Sequence, residues 1–297
     1  MNNSAFKKLL LITQLAVSST GLSSVTDKKC IADENDGYDL GYVMDVGPNK
    51  GECMSTKARP VFQTEESLER PIFKKNWQVA NISHRGEFYT AEIPVRGIEK
   101  VIFQVETFEA PVPAAHTQIR IKFYDHSPVL LKNQNSASSS REAVTHDLVL
   151  SVEAIGEKGY NYDIFKGLGK NLKTVYRIKT LESFVDRVIV GKGSKVMQWE
   201  LDLNKSEKMN FLKNYINYSA KKGFSDVYNT IKLNCTTELL RIVDMSTKNT
   251  FRKGLGKLLT FDFYPAAIKP AVKSRGIYKK SLDDLGEDPS IFHMLKN

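Results

Sequence analysis

The spacing of apolar positions divides the chain into three stretches. Residues 9–17 are predominantly apolar, with Lys7 and Lys8 before them and small polar residues at 18–24 after them. Basic, then apolar, then small is the order of a secretory signal peptide, and the run is too short to cross a bilayer as a helix. Residues 1–23 are therefore expected to be removed, leaving an exported chain. Residues 24–72 carry Gly37, Gly41, Gly47, Pro48, Gly51 and Pro60 and have no sustained period, which predicts a loosely structured extension.

From residue 77 the pattern becomes that of strands. Phe88, Tyr89 and Ile93 belong to one run, and Val101, Ile102, Phe103 and Val105 to another. Ile119, Ile121 and Phe123 alternate with Arg120 and Lys122, which predicts a half-buried strand. A polar loop at 133–141 leads to a strand over 147–155, and further strands are expected at 174–178 and 196–203. Helical spacing appears only afterwards. Asn204 with Glu207 forms a capping-box pattern ahead of Leu212, Tyr215, Ile216 and Ser219 on one face. A second helix starts at about Cys235, with Leu239, Leu240 and Val243 on its apolar side. Pro265, Pro270 and Gly276 break the tail into short pieces. Sheet first and helices later indicates an α+β fold. It is divided into a signal peptide (1–23), a partly β N-terminal extension (24–95) and a main domain (96–297).

With 297 residues, 41% of them hydrophobic, the chain can bury a real core. Loss of Lys7 and Lys8 with the signal peptide lowers the net charge from +9 to +7. The excess lies late, at Lys221, Lys222, Arg252, Lys253, Lys257, Lys269, Lys273, Arg275, Lys279 and Lys280. In an exported protein this suits an anionic membrane surface or an acidic wall polymer, or is simply a solvated face. No basic helix or aromatic RNA-binding pattern is present, so nucleic acid is not an expected partner.

Three cysteines are an odd number for an oxidising compartment. Cys30 and Cys53 share the N-terminal segment and are candidates to pair. Cys235 is then left over, as a buried apolar group or as a reactive one. Its segment places it in the first turn of a helix with Asn234 as cap. Unpaired N–H groups and the helix dipole there favour the thiolate. The five histidines show no zinc spacing, and no metal or cofactor is expected. Gly167-Leu168-Gly169 and Gly191-Lys192-Gly193 lack the residues of a phosphate loop, and no serine nucleophile elbow occurs.

Asn234-Cys235-Thr236-Thr237, followed by the helix through Leu239 and Leu240, resembles the nucleophile segment of the Lnb N-terminal periplasmic domain family. The order of that family's parts is matched by His116-Thr117-Gln118-Ile119-Arg120-Ile121, the strand around residues 148–154, and the turn Lys166-Gly167-Leu168. Trp199-Glu200-Leu201-Asp202-Leu203 and the closing Tyr264-Pro265 and Arg275-Gly276 complete it. The resemblance covers roughly residues 100–280, and Ala115 stands where the family has Gly. The family is similar to circularly permuted NlpC-like cysteine enzymes.

The resemblance implies a permuted papain-like fold, an antiparallel sheet packed against a cysteine-bearing helix. Cys235 is then the nucleophile and His116 its base. Glu153 on the adjacent strand is the expected third member, sharing a face with Ser151, while His146 is a rival base or third member. Arg120 is expected either to bind an anionic substrate group or to form a structural ion pair. Asn234 and Tyr228 are candidates for an oxyanion hole or for capping and packing. His84, His126 and His293 are read as exposed or structural.

The implied activity is thiol-dependent acyl transfer on ester or amide bonds, as hydrolase or acyltransferase, outside the cytoplasm. A lipid acyl donor or lipoprotein is the implied partner. Family members that acylate lipoproteins carry transmembrane helices after this domain, which this chain does not show. The alternatives are an amidase or peptidase on peptidoglycan peptides, and a non-catalytic periplasmic binding or envelope-assembly protein.

Overall fold

The computed structural model describes residues 42–43, 53–54, 58–64, 76–108, 115–134, 142–155, 172–248 and 264–295. The signal peptide, most of the turn-rich extension, the Cys30–Cys53 pairing, the turn at 166–168, and Arg252, Lys253 and Lys257 lie outside the described residues.

Thirteen strands and four helices are described. The strands before the first helix are β1 (Tyr42–Val43), β2 (Cys53–Met54), β3 (Phe62–Gln63), β4 (Trp77–His84), β5 (Glu87–Ile93), β6 (Ile98–Thr107), β7 (Ala115–Phe123), β8 (Val129–Asn133), β9 (Glu142–Thr145), β10 (Asp147–Ile155) and β11 (Lys173–Thr180). Then come α1 (Leu181–Val185), β12 (Val196–Leu201), α2 (Lys205–Lys222), α3 (Cys235–Ser246), α4 (Ile268–Ser274) and β13 (Tyr278–Leu282).

Apart from the β1–β2 pair, the strands form one 11-stranded sheet in the order β13-β12-β6-β7-β10-β11-β4-β5-β8-β9, with β3 on β4. Pairing is antiparallel except between β11 and β4, so the sheet is mixed. The extension expected at 24–95 does not stand apart. β4 and β5 belong to this same sheet, and the β4–β5 hairpin turns through Arg85 and Gly86, both at positive φ. This is an α+β fold.

Strand alternation gives the sheet two faces. One carries Phe103, Val105, Ile119, Ile121, Leu150, Val152, Tyr176 and Ile178 against Phe211, Leu212, Tyr215 and Ile216 of α2 and Leu239, Leu240 and Val243 of α3. The capping box at Asn204 and Glu207 starts α2 as its spacing predicts. The Ser219 hydroxyl donates to the Tyr176 carbonyl and accepts the Val61 amide, joining helix, sheet and the β3 segment. The other face is covered where Val149 and Val196 meet Leu181, Phe184, Val185 and Val188, together with Leu285 and Ile291 from the C-terminal segment.

That second cover corrects the expectation of a half-buried β7. Arg120 is 1% exposed. Its Nε donates to Asp147 at 2.6 Å, Nη1 to Asp288 at 2.9 Å, and Nη2 to Ser290 at 3.1 Å. Gln198 receives Nη1 at 3.5 Å and Gln104 Nε2 at 2.7 Å, and Gln104 in turn receives Gln118 Nε2 at 3.4 Å. A buried polar row therefore crosses the sheet from the C-terminal segment toward the start of β7. Two carboxylates and a hydroxyl occupy the guanidinium, so of the two roles open to Arg120 the structure shows the ion pair.

Arg120→Met leaves Asp147 buried without its counter-ion and is expected to cost about 3–5 kcal/mol. Urea unfolding measures this. Arg120→Met/Asp147→Leu should recover most of the loss, and a single variant as stable as wild type would contradict the role given to Arg120.

Candidate active site

His116 is the second residue of β7, and Cys235 is the first residue of α3. On one side β7 stays paired through its first residues, with His116 opposite Glu106 of β6. On the other side the ladder to β10 runs from Lys122–Asp147 only as far as Gln118–Ser151. The sheet opens beyond that point, where the same register would set Glu153 opposite His116. A cleft of about 240 Å³ lies there, lined by Glu106, Phe108, Ala115, His116, Val152, Glu153, Ala154, Arg187, Lys192, Tyr228 and Cys235. Residues from both sheet faces reach it because it sits at the sheet's end.

The local sequence fixes how α3 begins. Asn229 Oδ1 accepts the amides of Ile231 and Lys232, closing a tight turn whose ends, Asn229 and Leu233, pair backbone to backbone. Asn234 has extended φ and ψ, and its Oδ1 accepts the amides of Thr236 at 2.8 Å and Thr237 at 2.9 Å. Its Nδ2 donates to the Thr230 carbonyl, and the Thr237 hydroxyl accepts the Asn234 amide. The side chain that was a candidate for an oxyanion hole is thus used as a cap. Glu238 N donates to the Asn234 carbonyl, which leaves the Cys235 amide as the first-turn N–H not taken by the cap.

Two side-chain contacts brace α3 against the sheet. The Thr236 and Thr117 hydroxyls lie 3.2 Å apart, both buried, beside Cys235 and His116 respectively. Tyr176 donates to Glu238 Oε2 at 2.5 Å.

Cys235 is 5% exposed. Burial pushes its thiol up, but the charge of His116 foremost, with the polar groups of neighbouring Thr117, outweighs this and pulls it down to about 6. Burial likewise disfavours imidazolium at His116. The Cys235 thiolate foremost, then Glu153 and Glu106, overcome that and raise its pKa above 6.5. Each group thus shifts the other toward its charged form, the thiol downward and the imidazole upward. His116 Nε2 is buried and has no hydrogen-bond partner among the described residues.

Glu153 influences His116 through charge. Its Oε1 accepts Ser151 Oγ at 2.8 Å and Lys179 Nζ at 3.1 Å, and its Oε2 accepts Arg177 at 3.0 Å. Burial would raise this carboxyl, yet Arg177, Lys179 and His116 hold it well below the usual carboxylate range. Burial in turn lowers Lys179 to about 7 despite Glu153 beside it. Ser151 supports Glu153 and makes no contact with the imidazole among the described hydrogen bonds. Tyr228 lines the cleft.

His146 is elsewhere. It lies beyond the Asp147 end of β10, and six residues separate Asp147 from Glu153, roughly 20 Å along a strand. The rival base is therefore displaced from the cleft. His84 is buried with Nδ1 2.8 Å from Thr180 Oγ1, and His126 stacks on Tyr124.

Sequence reasoning missed Thr117, Arg177, Lys179, Glu106, Phe108, Lys192 and Arg187. Thr117 adjoins His116 and carried a local signal. Arg177 and Lys179 alternate on one face of β11, so their role follows once the β10–β11 register is known.

The family comparison can now be set beside this geometry. The model of the Lnb N-terminal periplasmic domain matches residues 85–268, more than half of the chain. The chain belongs to that family. The matched segment contains His116, Glu153 and Cys235 and opens in the β4–β5 hairpin, ahead of the boundary expected at residue 96. Membership makes this a periplasmic domain, and no described helix is long and apolar enough to cross a membrane. No curated protein and no solved structure matches the chain.

Alkylation of Cys235 by iodoacetamide, followed by peptide mass spectrometry, should rise with pH through a midpoint of about 6. His116→Ala removes the main stabilising charge, so the midpoint should move up toward or beyond the ordinary thiol value of about 8.5. A wild-type midpoint above 8 would contradict the thiolate–imidazolium pair.

Proposed function

We propose that this chain is an exported thiol enzyme of acyl transfer, with Cys235 as nucleophile and His116 as acid and base. The observation that carries the reading is the cleft-lining Cys235 thiol held at about 6 beside an imidazole whose own pKa is raised. A structural cysteine in an apolar setting would be pushed the other way.

In this reading the thiolate adds to an ester or amide carbonyl, and the oxyanion so formed is met by the Cys235 amide at the positive end of α3. His116 gives its proton to the leaving oxygen or nitrogen as the bond to carbon breaks, producing an S-acyl enzyme. The neutral imidazole then takes a proton from water or an amine, which attacks the thioester and releases Cys235. Glu153 favours imidazolium through charge, and its three cationic or hydroxyl contacts keep it ionised. The arrangement is similar in roles to a papain-like site with histidine ahead of cysteine, and we read the fold as that permuted type.

Exposed Val227 and Ile231 flank Tyr228 in the segment leading to Cys235, and Phe108 is exposed at the cleft. They favour a substrate with an apolar acyl part, as in a lipid or lipoprotein, over a purely polar wall peptide.

Incubation with an activated acyl ester should add an acyl mass to Cys235 that hydroxylamine removes. Cys235→Ala should abolish the adduct, and His116→Ala should slow its formation by about 10²–10⁴-fold. Turnover unchanged in Cys235→Ala would sink the assignment.

A further inference from the structure

The charged groups of the cleft are not evenly matched. Lys192 Nζ lies 3.2 Å from Glu106 Oε1 and 5.4 Å from the centre of the Phe108 ring. Glu153 is filled by Ser151, Lys179 and Arg177. Arg187 also lines the cleft, but it is exposed and forms no hydrogen bond or ion pair among the described residues. Its attraction to Glu153 acts only through space.

The backbone that presents Arg187 is unusual. α1 runs directly into a π-helical turn, Asp186–Val190, closed by Gly191 N donating to the Asp186 carbonyl at 2.9 Å. Such turns widen a helix by one residue and recur at functional sites. Here the turn is anchored by Val188, which is fully buried against Val149 and Val196 on the sheet. Arg187 is thus carried to the cleft on a packed element, yet no described side chain makes a direct ion pair or hydrogen bond with it. Arg120, the arginine that sequence reasoning offered for this task, is buried and saturated.

We propose that Arg187 is the specificity residue of this site, binding an anionic group, carboxylate or phosphate, carried close to the carbonyl that Cys235 attacks. This rests on the thiol reading above. A guanidinium can hold either oxyanion through two parallel hydrogen bonds, which a lysine cannot reproduce. It also offsets the repulsion that an anionic substrate would meet from the thiolate, Glu106 and Glu153.

The test compares two alkylating agents on the full exported chain. Iodoacetamide is neutral and iodoacetate is anionic, and with both the Cys235 thiolate displaces iodide to form a thioether. In Arg187→Ala the iodoacetate-to-iodoacetamide rate ratio at Cys235 should fall at least about tenfold, while the iodoacetamide rate stays within about twofold. Arg187→Lys should keep part of the ratio. Lys232→Ala, which removes an exposed cation from the turn before Cys235 without entering the cleft, should leave the ratio unchanged. An unchanged ratio in Arg187→Ala, or an equal fall in Lys232→Ala, overturns the proposal while leaving the thiol reading intact. A Cys235 inert to iodoacetamide overturns the thiol reading and this one with it. Protection from iodoacetamide by a short-chain phosphatidylglycerol or by an alanyl-glutamate peptide identifies phosphate or carboxylate as the anion. That protection should be lost in Arg187→Ala, and protection by neither, or protection undiminished in the variant, counts against Arg187.

Discussion

In the reading proposed above, the attraction between a Cys235 thiolate and a His116 imidazolium, both drawn out of water at the end of a sheet, is the interaction on which the rest of this site depends. Burial alone raises the cysteine and lowers the histidine, which would leave two neutral and inert groups. Close approach reverses both shifts, because each charge then has its opposite beside it. Approach is secured by short-range chemistry: the Asn234 cap sets where α3 begins, and the buried hydroxyl pair Thr117–Thr236 joins that point to β7. Tyr176 on Glu238 steadies the second turn of the helix.

The same sheet carries a different kind of order on its other face. Gln104, Gln118, Gln198 and Arg120 form a buried polar row that ends on Asp288 and Ser290 of the C-terminal segment. A polar row of this kind costs desolvation and returns specificity of register, since a one-residue slip would turn each member to the apolar face. It ends two residues from His116. The cleft therefore opens between an apolar face that holds the helix of Cys235 and a polar face that holds the charges around His116.

What could be read from sequence was local or periodic. The capping boxes at Asn204 and Asn234, the alternation in β6, β7 and β10, and the placement of Cys235 at a helix start all depend on residues within one turn or one strand, and all appear in the structure. What escaped depends on distant partners. Alternation around Arg120 is what a solvated face also shows, and only its distant partners, Asp147 on β10 and Asp288 168 residues away, turn it into a buried ion pair. Glu153 lines the cleft, but its partners Arg177 and Lys179 come from β11, and that register is not visible in a single sequence. The short strands β8, β9 and β13 are too brief to show a period, and the π-turn that presents Arg187 has no composition signal at all. The division at residue 95 followed the extent of the family resemblance, whereas pairing of β5 with β8 carries the sheet across it.

The central claim is that Cys235 and His116 share charge at neutral pH, and nitrogen NMR of the His116 ring tests it most directly. With the thiolate present, the His116 midpoint should lie above the ordinary 6.5. In Cys235→Ser that charge is gone and burial dominates, so the midpoint should fall below the wild-type value. A ring that titrates at the same midpoint in both proteins would contradict the account.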